Sequence, residues 1–406
     1  MLDLQYFSYS KSSLFSTVTF AAVFIVVISA ASFISNISLY SSAFRVKRNL
    51  DSACEPLLLR IEGVNTEAHR EVQKPLISPV TVTGEEGIGQ LRNKLQELEI
   101  LKWHGLAPKF DHRLREFFNG GCSLRFFMTW ISPAKSFGRR EFFTVESLFK
   151  AHPQGCLVIL SKTLDTGRGR AMLEPLVGKG FRLMAATPNL SFLLKNTSAE
   201  AWFEEISSGR KEPGEIPLAQ NLSNLLRLAI LYKYGGIYLD TDFIVLRDFS
   251  GLRNSIGAQS VNVAGNWTRL NNAVLVFEKN HPLLYQFIEE FASTFDGNRW
   301  GHNGPYLVSR VVERTARRLP AEYSVRVLPP MAFYPVDWTR VGSYFRQPHS
   351  RFDSKWVEAK LVQLSLESYG VHLWNRETRN TRIEEGSVMG RLVSSHCILC
   401  REIYSL

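Results

Sequence analysis

The stretch from Leu225 to Leu246 decides the fold and reads L-L-R-L-A-I-L-Y-K-Y-G-G-I-Y-L-D-T-D-F-I-V-L. Its first half has the apolar spacing of a buried helix, which ends at Gly235-Gly236, a typical C-terminal signal. A short apolar strand follows at Ile237–Leu239 and runs directly into Asp240 and Asp242. A helix, a glycine turn, a buried strand and an acidic strand end, in this order, are typical of an α/β sheet.

The same alternation of strands and helices extends to both sides of this stretch. The expected strands are Leu124–Ile131, Cys156–Leu160, Phe181–Ala185, Ile237–Leu239, Ile256–Gln259 and Ala273–Phe277, and the expected helices are Phe142–His152, Pro217–Tyr234, His281–Phe295 and Gly304–Leu319. This order predicts an α/β sheet that binds its ligands at the carboxyl ends of the strands.

Asp240 and Asp242 are the strongest candidates for chemistry. Side chains alternate along an extended chain, so residues two apart lie on the same side. Two carboxylates at a strand end suit Mg²⁺ or Mn²⁺, which keep open positions for phosphate oxygens. A D-x-D pair also occurs by chance, and the alternative is a pair of turn or capping aspartates. We favour a metal–phosphate site because a buried strand has little reason to end in two carboxylates unless a positive group lies there.

Composition excludes several classes of protein. The 406 residues are 45% hydrophobic and 21% charged, which excludes a wholly disordered or fibrous chain. Lys and Arg outnumber Asp and Glu by 48 to 38, for a net charge of +10. This excess is dispersed, so we expect no nucleic-acid partner and instead a basic surface that tolerates phosphate-bearing ligands. The five cysteines are an odd number, so in an oxidising compartment at least one is unpaired or bonded to another chain.

An uncharged segment near the N-terminus predicts a membrane anchor. Leu14–Ile34 contains no charged residue, and its 21 residues as a helix would span about 31 Å, the thickness of a bilayer core. We expect a retained anchor at 14–36, rather than a cleaved signal peptide or a buried helix, behind a tail at 1–13 that is cytosolic if the main domain is lumenal. The basic residues at 45–48 favour a cytosolic main domain. The N-x-[ST] sequons favour a lumenal one, so the residues alone leave the topology open. The sequons are Asn36, Asn189, Asn196, Asn221 and Asn266.

Residues 37–118 are predicted to form a stem in front of a globular domain at 119–406. Ile88, Leu91, Leu95 and Leu98 have the 3-4-3 spacing of one short amphipathic helix. Such a helix either packs on the main domain, which we favour at under two heptads, or pairs two stems in a homodimer.

The segment Leu222–Gln259 resembles the α1,4-glycosyltransferase family. Further stretches match in the same order: F-F-M-T-W-I-S at Phe126–Ser132, N-N-A-V-L-V-F at Asn271–Phe277, W-G-H-N-G-P at Trp300–Pro305, L-P-P-M-A-F-Y-P-V-D-W at Leu328–Trp338 and V-H-L-W-N at Val371–Asn375. The resemblance covers about Leu124 to Cys400 and does not include the anchor or the stem. In its C-terminal half, the chain is most similar to a plant-type branch of the family.

This resemblance implies a single GT-A type, Rossmann-like α/β domain. Such an enzyme would move a hexose, galactose or N-acetylglucosamine, from a UDP-sugar to a glycan or glycolipid acceptor, with retention and therefore an α-linkage. Asp240 and Asp242 match the D-x-D motif and would bind Mn²⁺ (or Mg²⁺) and the donor diphosphate. His372 resembles the C-terminal histidine that completes such a metal site, since imidazole is an acceptable Mn²⁺ ligand. The alternative for His372 is a buried strand histidine bonded to backbone.

Further site residues are implied by the same resemblance. Those implied to bind the donor are Arg227, Gly235, Gly236 and Asn224, and those implied to contact sugar or acceptor hydroxyls are Asn271, Asn272, His302 and Asp337. A helix salt bridge is the alternative for Arg227. Asn303 would lie beside the β-face of the donor sugar. An amide cannot act as a covalent nucleophile, so we expect a front-face mechanism there. Asn224 departs from the animal members, which carry aspartate, and this leaves the donor sugar open.

The family resemblance also implies a location. Members are type II Golgi membrane proteins with a lumenal catalytic domain, in agreement with the sequons. Lumenal cysteines form disulfides, so we expect Cys397 and Cys400 to be oxidised, either together or to Cys122 or Cys156. Two other functions are a catalytically silent nucleotide-sugar- or glycan-binding scaffold, suggested by Asn224, and a metal-dependent phosphohydrolase, which would need an additional base near the metal.

Overall fold

The computed structural model describes residues 109–315 and 318–400. The predicted anchor at 14–36, the predicted amphipathic helix near residue 90, most of the predicted stem and Cys54 lie outside these ranges. Among the helices at 109–315 and 318–400, none is both long and apolar enough to cross a membrane.

Strands and helices alternate along the described chain, as the sequence predicts. The elements are α1 (Phe110–Asn119), β1 (Arg125–Thr129), α2 (Arg139–Ala151), β2 (Cys156–Leu160), α3 (Gly167–Val177), β3 (Arg182–Ala186), α4 (Leu190–Leu194), α5 (Ala199–Ser207), α6 (Leu218–Tyr234), β4 (Gly236–Leu239), β5 (Phe243–Val245), β6 (Ser255–Val261), β7 (Trp267–Phe277), α7 (Pro282–Thr294), α8 (Pro305–Thr315), β8 (Arg326–Leu328), α9 (Pro330–Phe333), α10 (Arg351–Glu367), β9 (Gly370–His372), α11 (Asn375–Thr378) and α12 (Val388–His396). Short 3-10 turns lie at Ala134–Ser136, Ala321–Tyr323 and Val341–Phe345.

The main sheet has a parallel half and an antiparallel half. Its strand order is β3-β2-β1-β4-β7-β6-β8. β3, β2, β1 and β4 are parallel, β7 is antiparallel to β4 and β6, and β8 is parallel to β6. The strand order reverses between β1 and β4, which opens a crevice at their carboxyl ends, where α/β sheets bind ligands. The predicted α/β class is confirmed.

Strand β7 is longer than the sequence predicts. The expected strand begins at Ala273, whereas β7 begins at Trp267. Its pairing with β6 shifts register near Gly257 and again near Ser260, as at β-bulges. Bulges interrupt the two-residue alternation of apolar side chains, so the apolar pattern finds only the buried end of this strand.

Helix α6 is the central support of the sheet. Its residues from Asn224 to Leu231 are all buried, and it contacts β1, β4 and β7. A helix that is apolar nearly all round packs in the interior. The strand that follows is therefore fixed by its neighbours on both sides, with its acidic end at the crevice.

Helix α1 belongs to the folded unit, although residues 110–118 fall inside the predicted stem. Phe110, Leu114 and Phe118 recur every four residues along the helix and are buried in the core. The folded unit therefore extends N-terminal of the predicted boundary at residue 118. Four-residue apolar spacing describes a core helix and a stem helix equally well, so the sequence pattern did not distinguish them.

Two disulfides lie within the described chain. Cys397 pairs with Cys400, the first of the predicted alternatives, and Cys122 pairs with Cys156. The backbone N–H groups of residues 398 and 399 both donate to Oε1 of Glu146, a buried carboxylate on α2. The C-terminal disulfide loop is thus hydrogen-bonded to the interior of the domain.

The four sequons in the described residues differ in exposure. Asn196 and Asn266 are exposed and Asn189 is half-buried. Asn221 is only 3% exposed, and its Oδ1 accepts a hydrogen bond from Nδ2 of Asn303. A glycan on Asn221 is therefore incompatible with this fold, whatever the compartment.

An ion pair between the half-buried Arg113 and the buried Asp165 ties α1 to the rest of the domain. Nη1 and Nη2 of Arg113 each donate a 2.8 Å hydrogen bond to the Asp165 carboxylate. The backbone N–H and the hydroxyl of Thr187 donate to the same carboxylate. Burial alone would raise the pKa of Asp165, but these bonds outweigh burial and lower it.

Asp165→Asn is expected to lower the free energy of unfolding by about 2–3 kcal/mol, because Arg113 is left without its counter-ion. A lowered folded-state pKa stabilises the protein above the ordinary Asp pKa of about 3.9, and this stabilisation is lost as the pH falls through the folded-state value. Urea denaturation from about pH 7 to about pH 3 measures both effects. Glu358→Gln, in an exposed pair with Arg391, is the control and should change stability by less than about 0.5 kcal/mol. Equal losses in the two variants would contradict the assignment.

Candidate active site

Asp240 lies at the carboxyl end of β4 and is held by its neighbours. Its backbone N–H donates to the carbonyl of Ala273 on β7 (2.8 Å). Its Oδ1 accepts from the Tyr238 hydroxyl (2.9 Å) and from Nη2 of Arg227 (3.0 Å). Protein donors therefore occupy Oδ1, whereas Oδ2 is directed toward His372, 3.9 Å from its Nε2.

Arg227 is a buried cation on α6, not the exposed salt-bridge residue that was the alternative. Its guanidinium also donates to the carbonyls of Ser223 and Asn272 and lies over the Tyr238 ring. Burial alone would lower the pKa of Arg227, but Asp240 outweighs burial and raises it. Burial raises the pKa of Tyr238, so its hydroxyl stays protonated and donates to Asp240.

A two-stranded sheet brings the C-terminal part of the chain to the D-x-D segment. β5 pairs with β9 antiparallel, with Phe243 opposite His372 and Val245 opposite Gly370. A Cβ on Gly370 would lie 2.3 Å from the carbonyl oxygen of Ile244, so the close approach of the strands requires glycine there. This pairing places the His372 imidazole beside the Asp242 carboxylate.

A left-handed residue turns the chain immediately after β9. Trp374 has φ 54°, an uncommon conformation for a bulky residue. Its backbone N–H donates to Nδ1 of His372 (3.2 Å), which turns Nε2 toward the carboxylates. The next N–H, of Asn375, donates to Oδ2 of Asp242 (2.8 Å). This turn orients both His372 and Asp242.

Three potential ligand atoms converge as a result. Atoms of Asp240, Asp242 and His372 all lie within 4.8 Å of one another. Nε2 of His372 is 3.3 Å from Oδ1 of Asp242. Burial alone would lower the pKa of His372, but the two carboxylates outweigh burial and raise it to about 9. Protein N–H and O–H groups bind Oδ1 of Asp240 and Oδ2 of Asp242. The remaining oxygen of each carboxylate lies near Nε2 of His372. This donor set fits a divalent cation of the Mn²⁺ or Mg²⁺ type.

The cluster lies in a cavity of about 660 Å³, a size typical of small-ligand sites. The predicted site residues that line it are Asn224, Arg227, Asp240, Asp242, Asn271, Asn272 and His372. The predicted site residues that do not line it are Gly235, Gly236, His302, Asn303 and Asp337.

Three asparagine side chains form part of the polar wall of the cavity. Nδ2 of Asn272 donates to Oδ1 of Asn224 (2.9 Å), and Nδ2 of Asn271 donates to Oε1 of Gln259 (3.0 Å). A Cβ on Gly304 would lie 2.9 Å from Oδ1 of Asn224, so the loop before α8 packs tightly against this wall. The amides are therefore fixed before any ligand binds.

The structure places the side chains of Asn303 and His302 outside the lining of the cavity. Asn303 is 2% exposed, and its Nδ2 donates to Asn221 and to the carbonyl of Asp296. Its Oδ1 accepts from the Asp296 backbone N–H, so Asn303 holds its own loop together. Nε2 of His302 is bonded to the carbonyl of Thr294. Both side chains point into protein rather than into the cavity.

Asp337 and the two glycines also have structural roles. The Asp337 carboxylate accepts from Thr339 and Arg340 and closes a surface turn. Gly235 and Gly236 have φ values of 65° and 124° and precede β4, whereas the cluster follows it. Four residues of strand separate Gly236 from Asp240, which is about 13 Å. The glycines therefore form the helix-to-strand turn, at the opposite end of β4 from the cluster.

Aromatic and basic residues of the cavity were missed by the sequence analysis. These are Trp300, Tyr306, Trp338, Arg269 and Arg376. Trp300 and Trp338 lie in the motifs W-G-H-N-G-P and L-P-P-M-A-F-Y-P-V-D-W, close to the polar residues that were predicted there. An aromatic residue in an otherwise polar loop was the available signal, because a loop has no core for it to fill.

Comparison with known families gives two matches that adjoin this site. Residues 138–262 match the model described as a glycosyltransferase sugar-binding region containing a DXD motif. Residues 276–404 match the model described as an alpha 1,4-glycosyltransferase conserved region. Asp240 and Asp242 fall in the first and His372 in the second, so the cluster joins the two matched regions.

Several curated proteins are similar to this chain. Mouse lactosylceramide 4-alpha-galactosyltransferase is 35% identical over 63% of this chain and 68% of its own length. Human alpha-1,4-N-acetylglucosaminyltransferase is 26% identical over 63% of this chain and 73% of its own. An uncharacterized protein of Arabidopsis thaliana is 33% identical over 70% of this chain, but the match spans only 43% of that protein.

Gly236→Ala is expected to destabilise the protein by at least about 1–2 kcal/mol without moving any residue of the cavity wall. A Cβ there would lie 2.6 Å from the carbonyl oxygen of Arg125, at a φ that alanine rarely adopts. Thermal unfolding measures the loss, and the affinity of the folded fraction for UDP, the nucleotide that the family resemblance implies, should stay within twofold of the parent protein. Gly251→Ala is the control, since nothing lies within 4 Å of its added Cβ. Weakened UDP binding with unchanged stability would restore a donor-binding role.

Proposed function

Because the chain belongs to the α1,4-glycosyltransferase family and is a glycosyltransferase, we propose that it is a metal-assisted, retaining GT-A enzyme that uses a UDP-sugar. The proposed reaction moves galactose or N-acetylglucosamine to a hydroxyl of a glycan or glycolipid and forms an α-linkage. The observation that carries the proposal is the convergence of Asp240, Asp242 and His372 in the cavity, at the end of β4, where the strand order of the sheet reverses.

We assign the cation site to these three residues. Mn²⁺ or Mg²⁺ bound there would neutralise charge on the leaving diphosphate. The chain supplies a prearranged shell: Arg227 and Tyr238 hold one oxygen of Asp240, and the Asn375 N–H holds one oxygen of Asp242. Ligands that are already oriented need no reorganisation when the donor binds.

The polar wall would then receive the donor sugar. The crevice between β1 and β4 suits the nucleotide, since ligands bind where the strand order of an α/β sheet reverses. The linked amides of Asn224 and Asn272 lie on the β7 side of that crevice. They offer fixed hydrogen-bonding groups to sugar hydroxyls. Asn224 remains our candidate for the choice of donor, as a neutral amide in place of a carboxylate.

We also propose a type II Golgi location with the catalytic domain in the lumen. The disulfides at Cys122–Cys156 and Cys397–Cys400 support an oxidising compartment. The anchor at 14–36 and a homodimer through the stem are the corresponding proposals for the N-terminal part of the chain.

Asp242→Asn is expected to reduce metal-dependent sugar transfer by at least about 1,000-fold while the protein still folds, because a site of three ligands loses a charged one. Activity is measured by UDP release and folding by thermal denaturation. Asp353→Asn is the matched control, since this carboxylate accepts from the Ser350 N–H at the start of α10, outside the cavity, and its activity should stay within twofold of the parent enzyme. Undiminished transfer by the Asp242 variant would refute the metal assignment.

A donor screen tests the substrate class directly. UDP- and GDP-sugars are supplied one at a time with Mn²⁺, and nucleotide release is followed with and without EDTA. We expect release from one UDP-sugar, abolished by EDTA and restored by added Mn²⁺, because the carboxylates bind the diphosphate only through a cation. Release that is indifferent to EDTA, or confined to GDP-sugars, would contradict the proposal.

A further inference from the structure

We infer that Trp300, Tyr306 and Trp338 form a stacking platform for a hexopyranose ring of the acceptor. These three residues are called the aromatic rim here. The inference rests on the proposed function, since it assigns an acceptor subsite to the same cavity. The inference assigns acceptor binding to these aromatic residues instead of to their sequence neighbours His302, Asn303 and Asp337, whose side chains do not line the cavity.

The exposure of the rim is the first observation. Trp300, Tyr306 and Trp338 line the cavity and are nevertheless 51%, 42% and 51% exposed. Large aromatic side chains are normally well buried, because their apolar area dominates core packing. A group of exposed rings around a polar cavity is therefore typical of a binding surface.

Arginine side chains support two of the rings. The Arg376 guanidinium lies 4.2 Å from the Trp300 ring centroid, and the Arg269 guanidinium lies 4.5 Å from that of Tyr306. Such a cation–π contact restrains the orientation of a ring. Each ring is thus positioned in advance, which reduces the entropy lost on binding.

The arginines also connect the rim to the proposed reaction centre. Arg376 follows Asn375, whose N–H binds Asp242. Arg269 lies on β7, two residues before the cavity-lining Asn271. A sugar on the rim would therefore be held at a fixed position relative to the proposed cation site, as transfer to one particular hydroxyl requires.

Sheet topology separates this platform from the nucleotide. Thr129 and Trp130, at the end of β1, line the cavity beside the reversal of strand order. The rim residues come from the loop after α7, the first turn of α8 and the segment after α9, beyond the antiparallel strands. The Asp240–Asp242–His372 cluster follows β4, which lies between β1 and β7 in the sheet. The proposed nucleoside position and the rim are thus formed by different segments of the cavity wall.

The chemistry of the rim specifies a carbohydrate. An aromatic face is electron-rich, and the axial C–H groups of a hexopyranose carry slight positive charge, so the two surfaces stack. A β-galactoside presents several C–H groups on one face. Arg376 and Glu377, which also line the cavity, supply polar groups for its hydroxyls. An exposed rim further allows the rest of a glycan to extend into solvent.

The test is a calorimetric titration of the full-length protein with methyl β-lactoside in the presence of UDP and Mn²⁺. We expect Trp300→Ala and Tyr306→Ala each to raise the Kd for the lactoside at least tenfold and to leave the Kd for UDP within twofold. Trp300→Phe should restore most of the affinity, since it retains a ring. Trp356→Ala is the control, because Trp356 is a half-exposed tryptophan of α10 that does not line the cavity.

Three results would overturn the inference: equal weakening of UDP and lactoside binding by the rim variants, lactoside binding that the variants leave unchanged, and no lactoside binding by the parent protein. In the last case, Mn²⁺-dependent UDP binding would still uphold the proposed function. Conversely, lactoside binding that depends on the rim, without any UDP binding, would uphold the platform and refute the nucleotide-sugar assignment.

Discussion

The pairing of β5 with β9 is the contact on which the site depends. It joins residues 243–245 to residues 370–372. The pairing brings the His372 imidazole to the buried Asp242 carboxylate. Asp242 is 8% exposed, and burying an isolated carboxylate is costly. His372 and the Asn375 N–H, both supplied by the C-terminal segment, compensate that cost. The short sheet, the left-handed Trp374 and the buried acid are therefore interdependent.

Charge balance explains the rest of the arrangement. Two carboxylates two residues apart repel each other, and each has a hydrogen-bond donor beside it: the Arg227 guanidinium for Asp240 and the His372 imidazole for Asp242. The two donors differ in kind. Arg227 is saturated by protein contacts and keeps its charge, whereas His372 presents a nitrogen that can bind either a proton or a metal. His372 can therefore bind a proton or a cation at Nε2 while the Trp374 N–H keeps its ring in place.

The sequence predicted the fold well because apolar spacing is set by burial. The strands at Cys156–Leu160 and Ile237–Leu239, and the helix that ends at Tyr234, are apolar nearly throughout and lie in the interior. Asp240 and Asp242 were predictable for a related reason, since a strand fixes the direction of the residues that end it. His372 needed the family resemblance, because nothing in its local spacing relates it to a strand 130 residues earlier.

Loop side chains were not predictable in this way. Residue type shows that Asn303 and Asp337 can form hydrogen bonds, but the turn in which each stands decides whether the partner is a ligand or the loop itself. Asn303 bonds to Asp296 and Asn221, and Asp337 bonds to Thr339 and Arg340. The two glycines lie outside the cavity lining for a geometric reason, since they precede a strand whose far end carries the carboxylates.

The position of Glu146 has a consequence for the order in which the protein can fold. This carboxylate is 1% exposed and bonds to the backbone of residues 398 and 399, far along the chain from α2. His372 likewise lies far C-terminal to its partner Asp242. During synthesis α6 and the parallel strands can assemble early, but these two acids gain their C-terminal partners only after residues 372–399 have emerged. The C-terminal segment therefore couples a late step of folding to the formation of the site.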